Sequence, residues 1–307
     1  MVQITNNMLS HKRKRHHMVP FLFITIQKNL NAVVSNLTSK FNRCIINVIQ
    51  DKEESTMEKI VKLGKLTFIC NDDDTYLVSA CDKDATEVEI PTRVNNIAVT
   101  GICAHAFEDC TMLEKIVFPE FDEELYYDDK EFKTIGAYAF SGCSSLKSVE
   151  IPDTVFIIER GIFYSCTALE SIILPRNCYI SPYAFAHCSS LKELSPIPWA
   201  SEGMLSHCKA LGEITLLPSL KEIDEDAFEH TGLVEITIPK NVKHIGQLAF
   251  RSCYNLKSVT FEDPEKWYWK CRYDDEIRPL DLSSPEKNAQ MLSRMDFDDG
   301  VSYWFKK

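Results

Sequence analysis

Cysteine and histidine are the residue types in this sequence whose recurrence bears on chemistry, with 12 cysteines and 8 histidines among 307 residues. Cys110, Cys143, Cys166, Cys188 and Cys253 each follow a phenylalanine by three residues, and Cys208 follows Leu205 by the same step. A thiol becomes a nucleophile or a ligand as its thiolate, which needs electropositive, partly exposed surroundings. At a recurring apolar position it packs instead as a small hydrophobe, and that is the expectation for these six. No C-x-x-C occurs, so neither a zinc knuckle nor a thioredoxin-type redox pair is available. Two residues after the same aromatic position stand His187, His207 and His230 in three successive units, where other units hold Asp109, Gly142, Ser165 and Ser252. Stacked in register, these imidazoles would lie one rung apart, about 4.7–4.9 Å. That spacing suits chelation of a divalent metal or a pH-sensitive edge; the other reading is three exposed polar turn residues. His187-Cys188 and His207-Cys208 are sequence neighbours, so their side chains diverge in extended backbone and make no catalytic dyad. With no glycine-rich phosphate loop, G-x-S-x-G or H-E-x-x-H in the chain, neither an enzyme nor a resident cofactor is expected.

The elements that position these residues form a repeat. Phe107, Phe140, Phe163, Phe185, Leu205, Phe228 and Phe250 recur at intervals of 33, 23, 22, 20, 23 and 22 residues. A leucine follows most of them by six, and Ile116, Val149, Ile172, Leu194, Ile214, Ile236 or Val259 comes three further on. The unit is A-F-x-x-C-x-x-L-x-x-I-x-I-P-x-x-V-x-x-I-G. Its L-x-x-I-x-I alternates with period two, a short strand with one buried face, and the proline ends that strand because it has no N–H to donate. Pairs such as Val155 with Ile158 and Val242 with Ile245 form the return side, and A-F-x-x-C turns the chain back with its aromatic and thiol inward. A single unit cannot bury its own apolar side, so the coils must stack into a curved rod of parallel strands.

The segments AHAFEDCTMLEKIVFP, AYAFSGCSSLKSVEIP, PYAFAHCSSLKELSPIP and QLAFRSCYNLKSVTFE resemble the BspA-type leucine-rich repeats of host-associated bacteria and parasitic protists. The resemblance covers roughly residues 65–262. It implies a mainly β leucine-rich-repeat solenoid with short turns or 3-10 segments, capped at both ends, serving in adhesion or protein binding rather than catalysis. Two departures stand out: GMLSHC puts Leu205 at the aromatic position, and the 119–132 loop is about ten residues too long.

Residues 57–106 are expected to form an N-terminal cap and first coil, through the strands TYLVSA, DATEVEIP and NNIAVTGI. The repeats occupy 107–262 and a C-terminal cap 263–307, where Trp267, Tyr268 and Trp269 cover the last coil. In that cap Ser284 and Pro285 begin a short helix, and SYWFKK returns as a strand. Residues 1–56 are expected to be a weakly ordered basic extension, with Met57 an alternative start. They hold eight Lys/Arg against three Asp/Glu, a net of +5, so with −11 overall the remainder carries −11 − 5 = −16. An acidic body argues against nucleic acid as the partner. HKRKRHH-MVPFLFITI has the outline of a signal peptide but a short apolar run and no small-residue cleavage site, and no stretch approaches the ~20 apolar residues of a membrane span. The compartment stays open: many unbridged thiols favour a reducing one, while the family resemblance favours the cell surface.

Two surfaces are candidate contact sites. The outward face of the main strands displays Lys115, Val117, Lys147, Glu150, Glu170, Ile173, Lys192, Glu193, Glu213, Thr215, Glu235, Thr237, Lys257 and Thr260, a platform suited to a protein partner. The insertion EFDEELYYDDKEF carries Asp122, Glu123, Glu124, Asp128 and Asp129 around Tyr126 and Tyr127 and offers an acidic, aromatic loop, though without the spacing of a calcium loop. The expected function is a monomeric, non-enzymatic protein-binding module, and the alternative is a structural protein that stacks end to end.

Overall fold

A computed structural model describes residues 60–120, 130–175, 178–271, 276–293 and 302–307, all within the compact unit Ser55–Lys307. The N-terminal extension and the acidic residues Asp122, Glu123, Glu124, Tyr126, Tyr127, Asp128 and Asp129 lie outside the described residues. The described chain begins with an antiparallel run, β1 (Ile60–Leu63), β2 (Leu66–Cys70) and β3 (Tyr76–Cys81). From there it winds as a solenoid with two strand-bearing sides. One side, the main sheet, holds β4 (Glu87–Glu89), β7 (Lys115–Val117), β9 (Ser148–Glu150), β11 (Ser171–Ile173), β13 (Glu193–Leu194), β15 (Glu235–Ile238) and β17 (Ser258–Phe261). The return side holds β5 (Arg93–Val94), β6 (Ile97–Ile102), β8 (Thr134–Ile135), β10 (Ile157–Ile158), β12 (Tyr179–Ile180), β14 (Glu222–Ile223) and β16 (His244–Ile245).

The register is that of the repeat. Ile172 of β11 pairs in parallel with Val149 of β9 and Leu194 of β13, and Ile236 pairs with Val259. Val149, Ile172, Ile236 and Val259 are buried while residues on either side reach solvent, as a two-residue period demands. Behind them the aromatics form a column. Ring centroids are 4.8 Å apart for Phe107 and Phe140, 5.4 Å for Phe140 and Phe163, 6.0 Å for Phe163 and Phe185, and 5.1 Å for Phe228 and Phe250. All six rings are fully buried, as is Leu205, which takes the corresponding place between Phe185 and Phe228.

Each A-F-x-x-C turn is closed by i→i+3 hydrogen bonds, for example Cys166 N–H to Phe163 O at 3.1 Å and Leu169 N–H to Cys166 O at 3.0 Å. Two residues per turn adopt left-handed backbone, one two before the aromatic and one two after it. They are His105 and Asp109, Tyr138 and Gly142, Gly161 and Ser165, Tyr183 and His187, Gly203 and His207, Asp226 and His230, and Leu248 and Ser252. Small polar residues and histidine tolerate this region best, which accounts for the residue types after the aromatic; Leu248 is the one bulky aliphatic among them.

The main sheet is not one continuous ladder but three patches, β4–β7, β9–β11–β13 and β15–β17. The first gap follows the over-long loop after Val117. The second falls where Ser195-Pro196-Ile197-Pro198 removes two donors, and an isolated bridge between Ile197 and Leu216 joins that coil to the next. At the C-terminal end, α1 (Pro285–Ser293) packs on β17 with Ser284 Oγ accepting from Lys287 N–H at 3.4 Å. Here β18 (Trp267–Cys271), β19 (Ile277–Pro279) and β20 (Ser302–Lys306) extend the return sheet from β16 in antiparallel fashion. Trp267 is buried edge-on to Phe261 at 5.2 Å. At each end of the described coil stack antiparallel strands thus extend the return sheet.

Candidate functional site

The thiols form a ladder of their own. Cys143, Cys166, Cys188, Cys208 and Cys253 each donate through Sγ to the carbonyl of the aromatic one coil earlier, Phe107, Phe140, Phe163, Phe185 and Phe228, at 3.0–3.2 Å. The same Phe163 carbonyl accepts its own turn's Cys166 N–H at 3.1 Å, so both lone pairs of a buried acceptor are used. Where Thr231 replaces cysteine, its hydroxyl bonds Phe228 O at 2.9 Å, keeping a donor at the position. Burial, the largest effect, pushes Cys143 and Cys188 up to about 12 and Cys253 up to about 11, and drives Cys166 and Cys208 well above the ordinary thiol value. These thiols stay protonated at physiological pH and act as packing groups and weak donors. Accordingly, iodoacetamide at pH 8 is expected to label the half-buried Cys70 while leaving Cys166, Cys188 and Cys208 intact until denaturant is added. Peptide mass spectrometry checks this, and labelling of native Cys188 as fast as Cys70 would contradict it.

The three histidines do align. His187 and His207 lie face to face with centroids 4.4 Å apart and planes 9° from parallel, and His207 and His230 at 4.5 Å and 17°. Tyr164 meets the outer face of His187 edge-on at 5.1 Å, and Tyr254 meets His230 at 6.1 Å. The backbone sets this register: His187 N–H donates to Ser206 O at 2.7 Å, His207 N–H to Glu229 O at 2.8 Å and His230 N–H to Arg251 O at 2.8 Å. Burial holds His187 and His207 below the ordinary imidazole value, and the two flanking imidazoles depress His207 further.

A residue beside this row escaped the sequence reading. Glu229 is buried, 7% exposed, and both its oxygens are engaged. Arg251 Nε donates to Oε1 at 2.7 Å with Nη2 on the same oxygen, and Ser206 Oγ donates to Oε2 at 3.0 Å. Burial works to raise the Glu229 pKa, but the hydrogen bonds and charge of Arg251, together with Ser206, outweigh it and hold the carboxyl below its ordinary value. One ligand atom each from His207, Glu229 and His230 lies within 4.8 Å of the other two. The sequence signal lay one position before the histidine column, where Ser206, Glu229 and Arg251 occupy successive coils ahead of His207, His230 and Ser252.

On the main-sheet face, every one of the strand-face residues named from the sequence, from Lys115 and Val117 to Lys257 and Thr260, is exposed. Its charges are partly matched within the chain. Lys147 Nζ reaches Glu114 at 2.7 Å and Lys192 Nζ reaches Glu170 at 2.9 Å, exposed pairs that solvent screens and that add little to stability. Val117 and Ile173, 39% and 56% exposed, interrupt the polar strip with apolar surface. Among the described residues no helix is long and apolar enough to cross a membrane.

Six copies of the model for the BspA-type leucine-rich repeat region match residues 123–198 and 200–270. These coils are BspA-type leucine-rich repeats. A leucine-rich cell surface protein from Faecalibacterium prausnitzii shares 27% identity and superposes with a TM-score of 0.57, covering 71% of this chain. The chain spans 60% of that protein's length. A leucine-rich repeat protein from T. pallidum shares 21% identity at a TM-score of 0.44, over 68% of this chain and 84% of its own. No curated protein matches the sequence significantly. One stacking geometry accounts for the coil length, the A-F-x-x-C turn and the buried thiol ladder together.

Proposed function

We propose that this chain is a non-enzymatic module that binds another protein through the outward face of its main strands. The observation that carries the reading is the division of the coil into a closed interior, where the thiols are protonated and hydrogen-bonded, and an exposed strip of strand residues. In that strip lysines and glutamates neutralise one another across rungs while Val117 and Ile173 remain open to solvent. An exposed apolar centre with a polar surround is the composition of a protein-binding surface. The leucine-rich repeat family and the cell-surface relative support adhesion or host contact as the setting. The antiparallel strands and the helix added at the ends interrupt the parallel repeat there, and in this reading the module is a monomer rather than a head-to-tail stack.

A photo-crosslinking residue at Ile173, compared with one at Phe156 on the return side, tests the assignment. The expected result is a discrete crosslinked protein from position 173 alone, lost when Val117 and Thr237 are both replaced by arginine. Equal crosslinking from both positions, or insensitivity to the arginines, would overturn it. Sedimentation across a range of concentrations should show one monomeric species, and mass that grows with concentration would favour the self-assembling alternative.

A further inference from the structure

We propose that His207, His230 and Glu229 form a binding site for a zinc-class divalent cation, Zn²⁺, Cu²⁺ or Ni²⁺, on the turn edge of the solenoid. Their ligand atoms already lie within 4.8 Å of one another. Around a zinc ion at about 2.0–2.1 Å, tetrahedral ligand atoms stand roughly 3.4 Å apart, so the remaining closure is at most about 1.4 Å. Small rotations of two imidazoles about their Cβ–Cγ bonds supply it without moving backbone, which the rung hydrogen bonds of His207 and His230 fix at 2.8 Å each.

The surroundings have the form of a supported ligand set. Metal-binding carboxylates are themselves hydrogen-bonded by groups that orient them. Arg251 does this for Glu229 through Oε1, while the partner of Oε2 is the neutral Ser206 hydroxyl, which yields to a cation at little electrostatic cost. Arg251 also offsets the Glu229 charge, so the empty site draws cations little by charge alone, which disfavours the hard cations Mg²⁺ and Ca²⁺. Two imidazoles and one carboxylate match the borderline metals instead. The half-exposed edge leaves a fourth position open to water, as His187 lies on the far face of His207 and serves as a stacking support rather than a ligand.

Zinc titration by calorimetry on the full chain tests the site. His11, His16 and His17 of the N-terminal extension would bind zinc independently, so every titration uses a background in which these three are asparagine. Asparagine is also the replacement of choice in the turn, because it accepts the left-handed φ of 64° at His207 and 53° at His230. One equivalent of zinc should bind the background protein, with affinity falling at least tenfold in H207N, H230N and E229Q and changing less than threefold in H187N. Near-ultraviolet circular dichroism confirms that each variant keeps the native packing. Absence of saturable one-equivalent binding in the background protein would overturn the proposal. So would retention of that binding by folded H207N and H230N, or a loss in H187N equal to that in H230N.

Discussion

Phe163→Ala is expected to destabilise the protein by about 3–5 kcal/mol, the range for emptying a buried phenylalanine site. Phe163 is fully enclosed, with Phe140 stacked at 5.4 Å on one side and Phe185 at 6.0 Å on the other. Its removal therefore strips contact from two interfaces at once, and in a solenoid each interface is a nearest-neighbour contribution to the stability of the whole. The backbone cannot collapse into the space, because Phe163 N–H is bonded to Ala184 O at 2.9 Å in the next rung. In thermal unfolding the midpoint should fall by roughly 10 °C, and the transition should broaden as coils on either side begin to melt separately. Phe156→Ala supplies the comparison: that ring is 64% exposed, and its loss should cost no more than about 0.5 kcal/mol. Equal effects from the two replacements would contradict the buried column.

Gly246→Ala is the second large effect, expected at roughly 2–3 kcal/mol. A methyl group at this corner would stand 2.5 Å from Glu225 N and 2.7 Å from Asp224 C, and both are backbone of the preceding coil. Flexible side chains can swing away from such a contact, whereas a neighbouring rung can yield only by parting from its partner. Gly246 N–H donates to Ile223 O at 2.7 Å, so separation also weakens a buried hydrogen bond. Chemical denaturation should show a lower midpoint with little change in slope. Gly212→Ala, where the added carbon meets nothing within 4 Å, should stay within about 0.5 kcal/mol of the parent.

The repeat made most of the architecture legible in sequence, because stacking forces each inward position to be filled again with the same kind of residue. Phe140, Phe163 and Phe250 are as enclosed as their recurrence required. The two irregularities, Leu205 and the long loop after Val117, mark the neighbourhoods where the main sheet is interrupted. The strands at Tyr76–Cys81 and Ile97–Ile102 and the helix after Ser284-Pro285 were legible because they are local effects, whereas β1, β2 and β19 were not foreseen. What pattern did not supply was chemistry between rows. The bond from each cysteine to a carbonyl one coil back depends on the vertical offset of the turns, which spacing along the chain does not encode. Glu229 escaped for a similar reason: it neighbours His230 in sequence, but its role comes from Ser206 and Arg251 in the flanking coils. The paired left-handed residues of each turn were likewise hidden, because Tyr138, Tyr183 and Leu248 are not types that announce positive φ. The strand face was read correctly as exposed, yet its internal pairing of Lys147 with Glu114 and of Lys192 with Glu170 needed the rungs to be aligned in space.

A double-mutant cycle gives the most direct measurement of coil-on-coil stacking. Phe140→Leu and Phe163→Leu, combined, should show an interaction energy of about 0.5–1.5 kcal/mol, because the rings lie 5.4 Å apart and nearly parallel. Phe140→Leu with Phe250→Leu, whose rings belong to coils far along the column, should add within about 0.3–0.5 kcal/mol. Simple additivity for both pairs would mean that adjacent turns do not complete one another's interior, and the solenoid with its presented face would have to be abandoned.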